Sequence, residues 1–310
     1  MEIGLGLPTS VPGATGRNVL NWAVEGERAG FSTLATLDRL VYDSYECLTA
    51  LAAVAAVTER VRLATAVMLT PLRTNTALLA KQVASVDRLS DGRLVLGMAV
   101  GARPDDFTAS GADHSRRGRR IGEQISELRR IWAGERRGFA GPVGPAPTVA
   151  SGPPLILGGH APAATARAAK LGDGWISGGG GPGMFRGGAE AVRAAWQAAG
   201  RPGAPRLLAL AYFALGEDAR STAERYLRDY YGFAPPYAQA VVNSAAVGAD
   251  GVLKTVAGFR QAGCDELLFV PCSADIRQVD VLADVLADVL AGGLAGGLAG
   301  QPAAAAPGGR

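Results

Sequence analysis

The sequence predicts an α/β fold, a (β/α)8 TIM barrel with insertions, on three observations. Eight short apolar runs recur along the chain, with helix-patterned stretches between them. The longer runs lack in–out alternation: Val61 to Leu69 is interrupted only by Arg62 and Thr65, and Leu94 to Val100 carries no charge. Parallel strands buried on both faces read this way. Finally, Val61 to Gly101 reads as strand, helix, strand with matched lengths. About fifteen helical residues rise roughly 22 Å, against roughly 20 Å for a six-residue strand. A right-handed βαβ crossover follows.

Taken in order, Ile3 to Leu7 is the first strand, followed by a Pro/Gly loop and a helix from Gly16 to Ala29 that Gly30 closes. Phe31 to Leu37 is the second strand, ending at Asp38-Arg39, and Tyr45 to Thr58 the next helix. In the central unit Thr74 or Asn75 can cap the helix, and Ser90-Asp91-Gly92 ends it. Leu79, Val83, Val86 and Leu89 share one of its faces. After the fourth strand, Gly101 to Phe107 is expected as a loop on the carboxyl side, and Arg116 to Ala133 as a helix. Gly138 to Pro153 is a Gly/Pro insertion without periodicity.

Leu155 to Leu157 is the fifth strand, Gly158-Gly159-His160 a turn, and Pro162 to Lys170 a helix. Trp175 to Ser177 is the sixth strand, followed by a flexible run from Gly178 to Gly183 and a helix from Gly187 to Ala199. Leu207 to Leu215 is the seventh strand, and residues 217–248 a long insertion containing helix. Asp250 to Ala262 resumes the helical pattern, Glu266 to Val270 is the eighth strand, and Ile276 to Leu290 the last helix. The barrel domain is set at residues 1–290. From 291 the sequence AGGLAGGLAGQPAAAAPGGR is low-complexity and expected to be a mobile tail.

Composition narrows the class. A chain of 310 residues, 48% hydrophobic, suits a barrel of roughly 250 residues plus insertions. No basic-then-apolar leader and no bilayer-length uncharged run is visible, so a soluble cytoplasmic protein away from membranes is expected. Cys47, Cys264 and Cys272 are widely spaced and fit reduced core thiols, with no metal site. A net charge of +3 does not call for nucleic acid. Gly97 to Gly101 and Gly4-Leu5-Gly6 both miss the G-x-G-x-x-G spacing, which argues against a Rossmann dinucleotide site. With His114 and His160 as the only histidines, no Ser-His-Asp triad is visible.

Functional candidates lie where the βα loops of a barrel open. Gly158-Gly159-His160-Ala161 feeds a helix N-terminus and can receive a phosphate, or its glycines serve only a tight turn. Thr65, polar in a buried strand, must bond a ligand or neighbouring backbone. Arg39 cannot act as a base. It can hold an anion, or pair with Asp38, Asp43 or a loop carboxylate. His114 stands near Arg116, Arg117, Arg119 and Arg120, at an anion site or on a solvated face. Tyr226, Tyr230, Tyr231, Phe233 and Tyr237 crowd the 217–248 insertion, which suggests a lid or a subunit interface.

The segments LATAV, NTALLAKQVASVDRLSDGRL, LGMAVGARPDDF, PPLILGGHAPAATARAAKLGDGWI and AGCDELLFVP occur in that order. Over residues 2–290 the chain resembles the luciferase-like monooxygenase superfamily, whose barrel enzymes use FMN or F420. The resemblance implies an oxidoreductase, most simply a monooxygenase that acts with O2 on a small organic substrate. Its reduced FMN would come from a separate flavin reductase. The alternatives are an F420-dependent oxidoreductase that transfers hydride without oxygen, and a non-catalytic flavin-binding relative. The resemblance also implies that the flavin phosphate sits at Gly158, Gly159, His160 and Ala161. It puts a bulge at Thr65, Ala66 and Val67, with a non-proline cis bond at Ala66–Val67, beside Gly101 under the flavin ring. Arg39 stands near the strand end where bacterial luciferases carry a histidine; Arg39 and His114 are thus the catalytic candidates. The tyrosine-rich insertion would be a lid, and a homodimer is also compatible.

Overall fold

The computed structural model describes residues 1–291. Eight parallel strands form its centre: β1 (Glu2–Gly6), β2 (Thr33–Thr36), β3 (Arg62–Leu69), β4 (Leu94–Ala99), β5 (Leu155–Gly158), β6 (Gly174–Ser177), β7 (Arg206–Ala214) and β8 (Glu266–Pro271). They pair in sequence order, β8 pairs with both β1 and β7, and the β6–β7 pairing closes the barrel. The helices are α1 (Gly16–Arg28), α2 (Cys47–Ala55), α3 (Thr76–Leu89), α4 (Pro104–Ser110), α5 (Arg117–Trp132), α6 (Pro162–Leu171), α7 (Gly181–Ala198), α8 (Ala219–Tyr230), α9 (Pro235–Ser244), α10 (Gly248–Gln261) and α11 (Arg277–Val285). Among the described residues, no helix is long and apolar enough to cross a membrane.

The apolar strand runs serve two cores at once. Leu34, Leu63, Leu94, Leu155, Leu207 and Leu267 face the helices in one buried cluster. Their immediate successors Ala35, Ala64, Val95, Ile156, Leu208 and Leu268 belong to a second cluster inside the barrel. That is the period-two geometry of a strand with both faces covered. Gly4 makes room inside: a Cβ there would stand 2.4 Å from Leu268 Cδ2.

Several local expectations needed revision. The 101–107 loop becomes α4 at Pro104, whose fixed φ suits a first helical position. Helix α7 starts at Gly181, inside the run expected to be flexible. The 138–153 insertion carries a short hairpin, Arg136–Gly138 against Gly141–Pro142. It is pinned where Asp87 accepts the Thr148 N–H at 2.6 Å and Lys81 donates to the Gly144 carbonyl at 2.7 Å. The 217–248 insertion holds two helices, α8 and α9. The Asn75 cap is present, accepting the Leu78 N–H at 2.9 Å. The tail expected from 291 lies, from 292 on, outside the described residues.

Glu266 closes the amino end of the barrel. Its carboxylate accepts from Ser32 (2.6 Å), Thr33 (2.5 Å), Arg62 (3.1 Å) and Arg206 (2.7 Å). Burial alone would raise its pKa, yet Arg62 and Arg206 outweigh burial and hold it below the ordinary carboxylate value.

Candidate functional site

The opposite end is built from irregular backbone. Strand β3 shifts register against β4 between Thr65 and Met68, and the Ala66–Val67 peptide is cis, as expected from the LATAV segment. Thr65 bonds to the neighbouring strand. Its hydroxyl donates to the Gly97 carbonyl on β4 at 2.7 Å, which is the neighbouring-backbone alternative. Gly97 is required there, because a Cβ would stand 2.0 Å from the Thr65 carbonyl oxygen. Ala66 and Val67 border a cavity of about 170 Å3 together with Gly101, Arg103, Tyr231 and Phe233. A wider recess of about 480 Å3 lies beyond the ends of β7 and β8, walled by Glu217, Asp218, Asp275 and Arg277. It touches neither the kinked strand nor the glycine turns, so the smaller cavity is the better candidate.

Arg39 borders the cavity and is ion-paired, although its Nε makes no hydrogen bond among the described residues. Its Nε lies 3.3 Å from Asp106 Oδ2, and its two terminal nitrogens donate to the carbonyls of Tyr230 (3.2 Å) and Val41 (3.0 Å). The guanidinium also stacks on the rings of Tyr42 and Tyr230, at 4.9 and 5.2 Å. Of the partners considered for it, the loop carboxylate is the one present. Arg39 therefore ties the loop after β2 to α4 and α8, and the catalytic assignment gives way to a scaffold role. His114 is displaced further. It opens a 3-10 turn, stacks edge-on against buried Phe107 at 4.9 Å, and does not line the cavity.

Asp38 and Arg73 form a second ionic device beside the cavity. Asp38 pairs with Arg73 through both oxygens and accepts the Leu69 N–H at 2.7 Å, fixing the end of β3. Arg73 also donates to Glu46 at 2.9 Å and to Cys47 Sγ at 3.5 Å. Ligand atoms of Asp38, Glu46 and Cys47 lie within 4.8 Å of one another, the spacing of a metal site. The Arg73 guanidinium already supplies the positive charge, and burial pushes the Cys47 thiol well up, which keeps it neutral.

The glycine turn after β5 has the geometry of an anion cradle. Gly159 has φ +122°, and a Cβ on it would stand 2.8 Å from Ala164. Helix α6 follows with no side-chain cap. Pro162 has no N–H, and Ala164 and Thr165 donate to the Ala161 carbonyl, so of its leading N–H groups only that of Ala163 is without a backbone partner. His160 is exposed at this turn, with its ring edge 5.3 Å from Trp175, and burial of part of the ring lowers its pKa. The residues that sequence reasoning missed are next door. Helix α7 also starts without a side-chain cap, from Gly180 at φ +134°. Strands β5 and β6 are neighbours, and His160 Nε2 stands 3.3 Å from Ser177 Oγ. Two uncapped helix starts thus converge beside Gly178, which borders the cavity. The signal was available: a glycine run between a strand and a helix, like the first turn.

These features fit a flavin or deazaflavin in kind. Apolar walls suit a flat ring, and two glycine-lined helix starts suit a phosphate. The cavity volume is below the roughly 300–1,000 Å3 of typical ligand pockets. Part of the reason is the segment after α8, which lies over the mouth. Tyr231 and Phe233 border the cavity, Arg103 stacks on Phe233 at 4.7 Å, and Tyr237 donates to the Gly179 carbonyl at 2.9 Å.

Fold and site together define a (β/α)8 barrel with a cavity at its carboxyl mouth. The luciferase-like monooxygenase family profile matches residues 1–255, and the chain belongs to that family. It is similar to an uncharacterised protein of Mycobacterium tuberculosis, 39% identical over 139 residues, covering 42% of this chain and 47% of that protein. An F420-dependent glucose-6-phosphate dehydrogenase of Beutenbergia cavernae is 31% identical over 186 residues, covering 56% of this chain and 55% of that protein. The chain thus spans about half the length of the curated relatives it matches. Among solved structures, a monooxygenase from Streptomyces bottropensis superposes with a TM-score of 0.74 at 23% identity. That match covers 95% of this chain and 100% of the other, and shows the same fold.

Proposed function

We propose that the chain is a flavin-dependent oxidoreductase, specifically a monooxygenase that uses reduced FMN from a separate reductase and acts on a small organic substrate. One observation carries this reading: the kinked β3 backbone, an apolar cavity and two uncapped glycine-lined helix starts lie side by side at the barrel mouth. When bound, the cofactor supplies the redox chemistry, oxygen activation in the case of FMN and hydride transfer in the case of F420. The protein holds and shields it. The N–H groups around Gly159 to Ala161 and Gly180 to Gly181 would hold its phosphate, and the Ala66–Val67 bulge would support its ring. Leu37, Leu69, Leu210 and Phe233 keep water from the reacting edge. Asp38 with Arg73, and Arg39 with Asp106, hold the backbone on which these contacts depend.

F420 is the second reading, favoured by the name of the Beutenbergia relative, and structures of the same fold hold F420 in one case and FMN in another. Fluorescence titration of the purified protein with FMN and with F420 separates the two. The reduced-FMN form is then exposed to labelled dioxygen together with a panel of small ketones and aldehydes. Label in a product supports oxygenation. Tight F420 binding with hydride transfer, and no label incorporated, rejects it in favour of the second reading.

A further inference from the structure

The cavity also contains an oriented neutral donor. Tyr212 on β7 is buried, and its hydroxyl lies 2.8 Å from that of Tyr231. Among the described residues Tyr231 is the only hydrogen-bond partner of the Tyr212 hydroxyl. A buried phenol carries one proton that needs an acceptor. If Tyr231 donated to Tyr212, the Tyr212 proton would be left without one. Tyr231 borders the cavity and Tyr212 does not, so the leftover proton lies where a ligand can accept it only when Tyr212 donates and Tyr231 accepts. The proton of Tyr231 is then free. Burial pushes both phenols well above their ordinary values, so both keep their protons at neutral pH.

The charged groups at the cavity are ion-paired. Asp38 is paired with Arg73, Arg39 with Asp106, and Arg103 with Asp105 at 2.7 Å. The Tyr230 ring meets Arg39 and Tyr42, and its hydroxyl makes no hydrogen bond among the described residues, so Tyr231 is distinguished by the Tyr212 hydroxyl behind it. The remaining walls are largely apolar, including Ala66, Val67, Leu69, Leu210 and Phe233. Such a pocket disfavours an unpaired anion and suits a neutral acceptor. We propose that Tyr231, oriented by Tyr212, donates a hydrogen bond to a ligand carbonyl oxygen at the barrel mouth. The inference rests on the cavity being the ligand site of the proposed function. The carbonyl belongs either to the cofactor ring or to a neutral carbonyl substrate.

The test uses three probes: FMN, F420 and cyclohexanone labelled with carbon-13 at its carbonyl. Infrared difference spectra are recorded with wild-type, Tyr231→Phe and Tyr212→Phe proteins, alongside binding titrations. With wild type, a carbonyl band of at least one probe should move to lower frequency. Tyr231→Phe should return that band toward its free position and weaken binding about tenfold. Tyr212→Phe keeps the donor but removes the group that orients it, so the band should stay shifted by a reduced amount, with an affinity loss smaller than that of Tyr231→Phe. A shifted ketone band assigns the contact to the substrate, and a shifted FMN or F420 band assigns it to the cofactor. No Tyr231-dependent band from any probe, or equal losses in both variants, overturns the inference. Failure of the cofactor reading shows separately as no change in FMN or F420 fluorescence, while the ketone arm still reports on Tyr231.

Discussion

The two ends of this barrel solve opposite problems with similar residues. At the amino end, Glu266 is buried and every side-chain contact it makes is to a hydroxyl or a guanidinium of the same small cluster. Arg62 and Arg206 converge on it, and Glu2 joins both arginines at 2.7 and 2.6 Å. At the carboxyl end, buried charges are also paired, but they surround a cavity instead of filling it. Asp38 and Arg39 line the cavity with their partners Arg73 and Asp106 behind them, while glycines, apolar side chains and tyrosines form the rest of the surface. Ion pairs at one end complete the core; at the other they brace the backbone around a space.

That contrast implies that damage at the amino end should lower stability and leave binding intact. Glu266→Gln leaves two guanidinium groups short of their shared partner, and breaking a buried pair costs about 3 kcal/mol. The denaturation midpoint should fall, while FMN or F420 affinity of the folded fraction stays within about twofold. The pH dependence has a defined sign. Because the folded pKa of Glu266 is depressed, its contribution is present above the unfolded value, roughly 4.3, and is lost as pH falls through the folded value. Wild type should therefore lose stability across that acid range more steeply than Glu266→Gln. Urea melts between neutral pH and pH 3 would show it, and parallel curves would mean that Glu266 does not carry the linkage.

The converse holds for the glycine cradle. Gly159→Asp brings a side chain to 2.8 Å from Ala164 and adds negative charge where a phosphate is expected. Affinity for a phosphate-bearing cofactor should drop about a hundredfold, the loss of one or two charge-assisted contacts. Gly159→Ala shares the positive-φ penalty without the charge and should lose much less. If the two variants bind FMN and F420 equally well, the cradle is a turn and nothing more.

The same contrast explains what could be read from the sequence. Strands buried on both faces are recognisable as apolar runs, so the barrel and nearly all its elements were legible. Helix α7 was started late because Gly180 to Gly183 depress helix propensity, although the first turn needs little of it. Helix α4 was missed because it is only seven residues long, directly after a loop, with only Pro104 announcing it. The glycine turn at 158–161 was visible as a local pattern, while the β3 bulge was implied only by the family resemblance. Partners were not: the carbonyl that Thr65 bonds lies on β4, and Asp106 reaches Arg39 only because α4 folds over the loop after β2. Tyrosine density marked the 217–248 segment, yet which hydroxyls pair depends on how α8 packs on the barrel mouth.

The smallest effect concerns how that segment is held over the mouth. Tyr237 donates to the Gly179 carbonyl at 2.9 Å, and its ring meets Tyr231 edge-on at 5.2 Å. Phe233, by contrast, is held by the Arg103 guanidinium across its face and is 40% exposed. The closing contacts are therefore one hydrogen bond and a few ring edges, while Tyr226 and Tyr230 of α8 are anchored in the barrel core. Opening of residues 231–237 should not require α8 to leave. Tyr237→Phe removes the hydrogen bond and keeps the ring, a loss of about 1 kcal/mol. Amide exchange across Tyr231 to Tyr237 should then rise about fivefold, with exchange in α8 and the global melting curve unchanged. Adding a cofactor that binds should slow exchange across the same residues in wild type, as expected of a lid. Exchange that instead follows protein concentration, in wild type and variant alike, would identify the segment as a contact between subunits. Unchanged exchange in Tyr237→Phe would place the closing contact at Arg103 and Phe233, and Arg103→Ala would be the variant that opens the mouth.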